Sequence, residues 1–311
     1  MALATTSRWS ADAMEARVVR YADLRPCYNA FIDTRSPGSE AKENFTIIGP
    51  GVSENPEQHV HIPEPHGFNI GGARQPPNCV NSQHSHDTAE VFVVHSGRWR
   101  FDLGEHGDDA QVVLYPGDVI SLPTGMFRGF TNVGTEIGYL FAVLGGDDPG
   151  RVLWAPQVFD MAAEYGLVLL ENGSLIDTEA GQSVPLDVQP MPRTSPKQVQ
   201  KLRRATAQDA ARMVWHATPC SDGATNPIIG EEAPLSEPHP FRLERLCLGG
   251  GAEDRRQPIA PEVLFVHSGD SRMVWDGGEI DLAAGDTMTV PIGLERTLVG
   301  GTGAIVYRVS G

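Results

Sequence analysis

Two octets of this chain are near copies of one another: Glu90-Val-Phe-Val-Val-His-Ser-Gly97 returns as Glu262-Val-Leu-Phe-Val-His-Ser-Gly269. Downstream of each, Gly117-Asp-Val-Ile-Ser-Leu-Pro-Thr-Gly125 returns as Gly285-Asp-Thr-Met-Thr-Val-Pro-Ile-Gly293. Two matched segments in the same order mean a duplicated domain, so the chain must build one architecture twice. That architecture reads as β. Both octets are β-branched and aromatic runs closed by a Ser-Gly turn, and the segments after them are short strands broken by Pro, Gly and Asp. Strands this short, with turns every eight to twelve residues, point to a sandwich or small barrel. The 34 glycines and 24 prolines among 311 residues agree with many turns.

Between the copies the texture changes. Ala155 to Leu170 places Val158, Met161, Ala162 and Tyr165 on one helical stripe, and a polar, Pro-rich stretch from Thr178 to Lys197 follows. Ser195-Pro196 is positioned to start a further short helix. The expected division is a first barrel over 15–150, a helical and Pro-rich linker over 151–205, and a second barrel over 206–311.

Net charge is −16, from 24 Lys+Arg against 40 Asp+Glu. Such a surface repels phosphate backbones, so nucleic acid and anionic membranes are excluded as expected partners. No stretch approaches the length of a membrane span and the start of the sequence carries no apolar leader core, so a cytoplasmic protein is expected. Cys27, Cys79, Cys220 and Cys247 show no CxxC spacing and are expected as free thiols.

The first copy contains His84-x-His86-x3-Glu90-x6-Gly97, then Gly117-x5-Pro123-x-Gly125-x2-Arg128-x3-Asn132. In an extended strand residues i and i+2 share a face, so His84 and His86 can converge on one point. Glu90 is expected to join them from the adjacent stretch of the same β segment. Two imidazoles and a carboxylate suit Fe(II), Mn, Ni, Co or Zn better than Ca or Mg, and leave coordination positions open.

These two motifs resemble those of the cupin superfamily, and their duplication makes the chain look like a bicupin. The resemblance implies an all-β-dominated fold of two tandem cupin (double-stranded β-helix, jelly-roll) barrels with a few short helices between them. It also implies a metal at His84, His86 and Glu90. Two departures stand out. Asn78 replaces a glycine six residues before the first histidine, which a residue tolerant of left-handed angles can do. Arg128 holds the position of a further histidine ligand, and a guanidinium cannot ligate. Arg128 either binds a substrate carboxylate or phenolate inside the barrel, or pairs with a structural acid; Arg296 at the matching place in the second copy favours the latter. In that copy Arg256 and Pro258 stand where the histidines would be, so no metal is expected there.

The remaining candidates are weaker. His59, His61 or His66 could supply a missing ligand. His95 and His267 lie on the opposite strand face beside a turn and read as structural. Phe92, Trp99, Phe101, Phe127 and Phe130 could line an aromatic pocket, with Phe92 and Phe130 the candidate substrate-binding residues, although aromatic residues in a small barrel are more often core. The leading expectation is a non-haem Fe(II) dioxygenase acting on a small aromatic or anionic substrate. Two alternatives remain: an O2-independent metal-dependent isomerase, lyase or hydrolase, and a non-catalytic ligand-binding or structural bicupin. A homodimer is the only macromolecular association expected.

Overall fold

The computed structural model describes residues 9–311, which divide into two compact units. One unit is Arg25–Ala217; the other joins Thr218–Gly311 to the described part of Met1–Leu24.

Two sheets enclose the core of the first unit. The larger runs in the order Val214–Trp215, Val119–Leu122, Glu90–Ser96, Gly138–Gly145, Phe68–Gln75, Glu43–Ile48, Val60–Ile62. The smaller runs Val152–Trp154, Val80–His86, Arg128–Asn132, Trp99–Leu103, Ala110–Leu114. Pairing is antiparallel except between Glu43–Ile48 and Val60–Ile62. Period-two alternation sorts the side chains: Trp99, Phe101 and Leu103 are fully buried while Arg100 and Asp102 between them are part-exposed. The inward residues meet Phe92, Val94, Ile120, Leu122 and Leu140 from the larger sheet, giving one core between the two layers. Each such buried side chain contributes about 1.5–3 kcal/mol.

The second unit repeats the plan with fewer strands. Thr287–Val290, Glu262–Ser268, Ile305–Ser310, Arg242–Cys247 and Thr225–Ile229 follow one another as their counterparts do in the first unit. The facing sheet is Glu253–Arg256, Arg296–Gly300, Asp270–Trp275, Gly278–Ala283, and Leu264, Val266, Met288 and Val306 pack on Met273, Leu282 and Leu298 between the layers.

Each larger sheet ends on a two-residue strand that comes from outside the contiguous barrel. Val214–Trp215 pairs with Val119–Leu122, and Val18–Val19 pairs with Thr287–Val290. Each follows a short capped helix, Ala207–Arg212 or Ala11–Glu15. The aspartate of each Gly-Asp turn anchors the segment: Asp118 accepts from Ala217 N at 2.9 Å, and Asp286 accepts from Tyr21 N at 3.0 Å. The segment preceding the first barrel thus completes the second, and the segment preceding the second completes the first.

These pairings correct the expected boundaries. Residues 15–24 belong with the second unit rather than with 15–150, because Met14 and Val18 bury against its core. The stretch 151–205 is not a linker. Val152–Trp154 adds a strand beside Val80–His86, and Val158, Ala162, Leu167 and Leu169 form a second core with Ile32 and Phe127. The helix there covers Pro156–Glu164 only; Leu167–Leu169 is a strand paired with Leu175–Asp177. Residues 206–217 likewise belong to the first unit. Ser195 caps Pro196–Val199 through a reciprocal bond with Gln198.

Cys220 and Cys247 form a disulfide, correcting the expectation of four free thiols; Cys27 and Cys79 are free. Gly223 and Ala224 bond the backbone of Cys247, which draws Cys220 to within 6.3 Å, Cα to Cα. Among the described residues no helix is long and apolar enough to cross a membrane.

Candidate metal centre

His84 and His86 end the Val80–His86 strand on one buried face, as their two-residue spacing requires. Glu90 opens the Glu90–Ser96 strand after a turn at 87–89 that carries the chain to the other sheet. The carboxylate therefore meets the imidazoles from the opposite layer, not from the same β segment. One ligand atom from each of the three lies within 4.8 Å of the others, and this is the one such group of metal-ligating residues among the described residues.

The local chemistry suits a metal ligand set. His84 Nδ1 lies 2.7 Å from the Ser82 carbonyl, which can only accept, so Nδ1 carries the proton and Nε2 is left with its lone pair. Ser82 is itself fixed, its N–H donating to Asp33 Oδ2 at 2.9 Å, and Asp33 is locked in a fully buried ion pair with Lys42. Trp154 stacks beside His84 at 5.4 Å and donates through Nε1 to Glu54 at 2.6 Å. Burial pushes the Glu54 carboxyl up to about 8. Burial, with Arg128 adding to it, pushes the His84 imidazole down to about 3 and that of His86 well below its usual value, so both are neutral at pH 7. His86 Nε2 stands 3.6 Å from Glu90 Oε2, and its Nδ1 is buried without a hydrogen-bond partner.

A cavity of about 70 Å³ opens on the triad. By the room a buried water needs, that holds an ion and a handful of small-ligand atoms. Phe92 and Phe130, 5.2 Å apart, line it. Phe31, Phe45 and the polar Asn44, Asn69 and Asn81 line it too; they lie outside the repeated octets, and no local pattern marks them. Trp99 and Phe101 are core, and Phe127 packs in the second cluster.

Arg128 lies elsewhere than expected of a substrate-binding residue. Its guanidinium is fully buried, donates to Glu90 Oε2 at 3.0 Å and Met126 O at 3.2 Å, and is not part of the cavity wall. Arg128 sits directly across the strand pair from His84, so a side chain projecting with the imidazole reaches Glu90 first. None of His59, His61 and His66 joins the triad. His61 is engaged at both nitrogens, with Thr46 O and Arg25 N, and His66 Nδ1 bonds Glu64 O. His95 and His267 pack edge-on against Tyr139 and Tyr307, the same contact in each barrel.

In the second barrel the corresponding space is filled by charge. Arg296 pairs with Glu262 at 2.5 Å and with Asp254; Arg308 pairs with Asp254 at 2.9 Å and Glu244 at 2.7 Å. Arg256 closes the circuit between Glu244 at 3.6 Å and Glu262 at 3.8 Å. Three carboxylates and three guanidiniums alternate in a closed ring. Burial works against the charge on Asp254, but Arg296 and Arg308 hold its carboxyl below the usual range. Arg256, at the place of the first histidine, is thus a member of the ring, while Pro258 stands at the place of the second.

Comparison with known proteins agrees with this architecture. Residues 73–144 match the family model described as Cupin domain. Germin-like protein subfamily 1 member 7 of Arabidopsis thaliana is 36% identical over 88 residues, covering 27% of this chain and 38% of that protein. Member 4 is 27% identical over 121 residues, covering 37% of this chain, and the match spans 54% of its length, about half. Oxalate decarboxylases from Lactobacillus farciminis, in a formate complex, and from Bacillus subtilis superpose over 94% of this chain. Their TM-scores are 0.57 and 0.56 at 12% identity, covering 85% and 75% of those chains. Residues 73–144 thus carry a cupin domain, and the two-barrel fold is bicupin-like. The first barrel holds a candidate His-His-Glu metal site.

Proposed function

We propose that the protein is a metal-dependent enzyme acting on a small carboxylate anion in the first barrel, by O2-independent carbon–carbon bond cleavage of the lyase class. The observation that carries the metal reading is the convergence of two neutral imidazoles and one carboxylate on a small buried cavity. A divalent ion held there would supply Lewis acidity toward substrate oxygens. The chain's own groups do the rest. Ser82 orients His84, Glu90 supplies the charge, and Phe92 and Phe130 keep bulk water from the cavity. The size of the cavity restricts the substrate to a few heavy atoms. The lyase assignment draws on the structural likeness to oxalate decarboxylases, which is a likeness of fold.

A second reading, a non-haem Fe(II) dioxygenase, is supported by the ligand set. Two histidines and one carboxylate with open positions is the arrangement used by Fe(II) oxygenases. Metal content of protein purified without added metal, followed by turnover of oxalate and related small carboxylates, separates the readings. CO2 release without O2 consumption is the expected result. Stoichiometric O2 uptake would move the assignment to the dioxygenase, and a site that takes up no metal on reconstitution would end both.

A further inference from the structure

If the first barrel holds a divalent metal, the charge of the site does not balance. A metal-ligating imidazole is neutral, so Glu90 contributes one negative charge and Arg128 one positive, and the protein's own sum is zero. Asp33 and Lys42, which also act on His84, cancel one another as a buried pair. A divalent ion would therefore carry an uncompensated double charge among residues at most 4% exposed. Buried charge without a counter-charge is costly. Nor is Glu90 free to spend its charge on the metal alone. The oxygen 3.6 Å from His86 Nε2 is the one that accepts from Arg128 at 3.0 Å. The guanidinium cannot swing aside, because it is fully buried and held a second time by Met126 O.

We propose that Arg128 makes metal binding conditional on an anion: the first barrel holds a divalent ion weakly by itself and tightly when a small dianion enters the same cavity. The proposal rests on the metal reading given above. Arg128 is a positioning residue that acts through Glu90, and the anion meets the metal side of the cavity rather than the guanidinium. The coupling is reciprocal, so the dianion also binds poorly without metal. Binding would then be self-gated, with the ion retained only while the charge it needs is present.

The test is a titration of Mn(II) into metal-free full-length protein, with free Mn(II) read by electron paramagnetic resonance, in the absence and presence of malonate. His84→Ala protein supplies the background for Mn(II) bound by malonate in solution. In the wild type, malonate is expected to tighten Mn(II) binding about tenfold or more, from Coulomb attraction in a site of intermediate dielectric. Arg128→Met is expected to bind Mn(II) about tenfold more tightly without malonate, and to lose most of the malonate effect. Arg128→Lys keeps the charge and keeps the effect, so the wild type and this variant decide the matter even if Arg128→Met does not fold. Wild-type affinity that ignores malonate overturns the coupling while leaving the metal site standing. A full malonate effect in Arg128→Met takes the role away from Arg128. Wild-type protein that binds no Mn(II) under either condition overturns the coupling together with the metal reading beneath it.

Discussion

Both barrels keep a glutamate at the head of the same strand and pair it with an arginine from the same neighbouring strand, Glu90 with Arg128 and Glu262 with Arg296. Around that shared pair they diverge. In the first barrel the remaining space is bordered by two neutral histidines and left open as a cavity. In the second it is occupied by Arg256, Arg308, Asp254 and Glu244, which complete a neutral ring. The same scaffold thus solves one problem, a carboxylate buried at 4% or 1% exposure, with different cations. The second barrel surrounds its glutamate with two guanidiniums, although Glu262 Oε2 reaches Arg256 only at 3.8 Å and has no hydrogen bond. The first gives its glutamate one guanidinium and leaves beside it donors that suit a metal.

The contrast can be broken at its strongest point by removing a ligand. His84→Ala or His86→Ala is expected to take metal content from about one ion per chain to near zero by elemental analysis, while circular dichroism stays unchanged. Metal retained in both variants would erase the distinction between the barrels. Next in size is Arg296→Met, which takes from the fully buried Glu262 its one hydrogen-bonded cation and leaves Asp254 with Arg308 alone. Urea unfolding is expected to show a loss of about 3–5 kcal/mol, the cost of an orphaned buried charge. A loss below about 1 kcal/mol would class the ring with solvent-screened surface pairs.

Acid titration should then separate the two solutions by pH. The His84 imidazole falls from 6.5 to about 3 on folding, so between those values the unfolded chain binds more protons and stability drops as pH falls. The Asp254 carboxyl is held below 3.8, so the ring's contribution persists until the pH falls through that lower value. Glu54, at about 8, works in the opposite sense and His86, His95 and His239 in the same one, so the His84 contribution is read as the difference in urea unfolding free energy between wild type and His84→Gln, expected to change by a few kcal/mol at most from pH 7 to pH 4. A difference that does not change with pH would assign the titration to other groups. The smallest effect concerns backbone shape. Asn78 and Gly250 occupy matching left-handed positions, at φ of 62° and 68°. Asn78→Ala and Gly250→Ala are each expected to cost about 1 kcal/mol in thermal or urea unfolding, and Asn78→Gly close to nothing.

Much of this was legible in the residues. The repeated octets define two barrels because hydrophobic alternation and turn chemistry are local. The His-x-His spacing finds its ligands because a strand has period two, and Asn78 was readable because few residues accept its φ. What was hidden depends on chain crossings. Glu90 reaches the histidines from the other sheet, a consequence of a three-residue turn that spacing alone leaves ambiguous. The ring draws on five strands from Glu244 to Arg308, and no local pattern joins them. The Cys220–Cys247 bridge likewise follows from backbone pairing of distant segments. One further signal lies in the edge segments. Ser10 and Thr206 cap their helices alike, and Val18-Val19 and Val214-Trp215 follow at the same offset, so the edge segments are themselves a repeat.

That repeat has a consequence in time. The first barrel can close once the chain has been made through Ala217, because its last edge strand is then available. The second cannot. The bond from Arg17 to Thr289 joins residues 272 apart, so this segment must wait until the strand at Thr287–Val290 has been made. Until Val18–Val19 returns, Thr287–Val290 presents an open strand edge, the kind of surface on which chains aggregate or exchange with a second copy. The segment through Val18–Val19 is therefore made before the first barrel yet seated only after the strand at Thr287–Val290 exists.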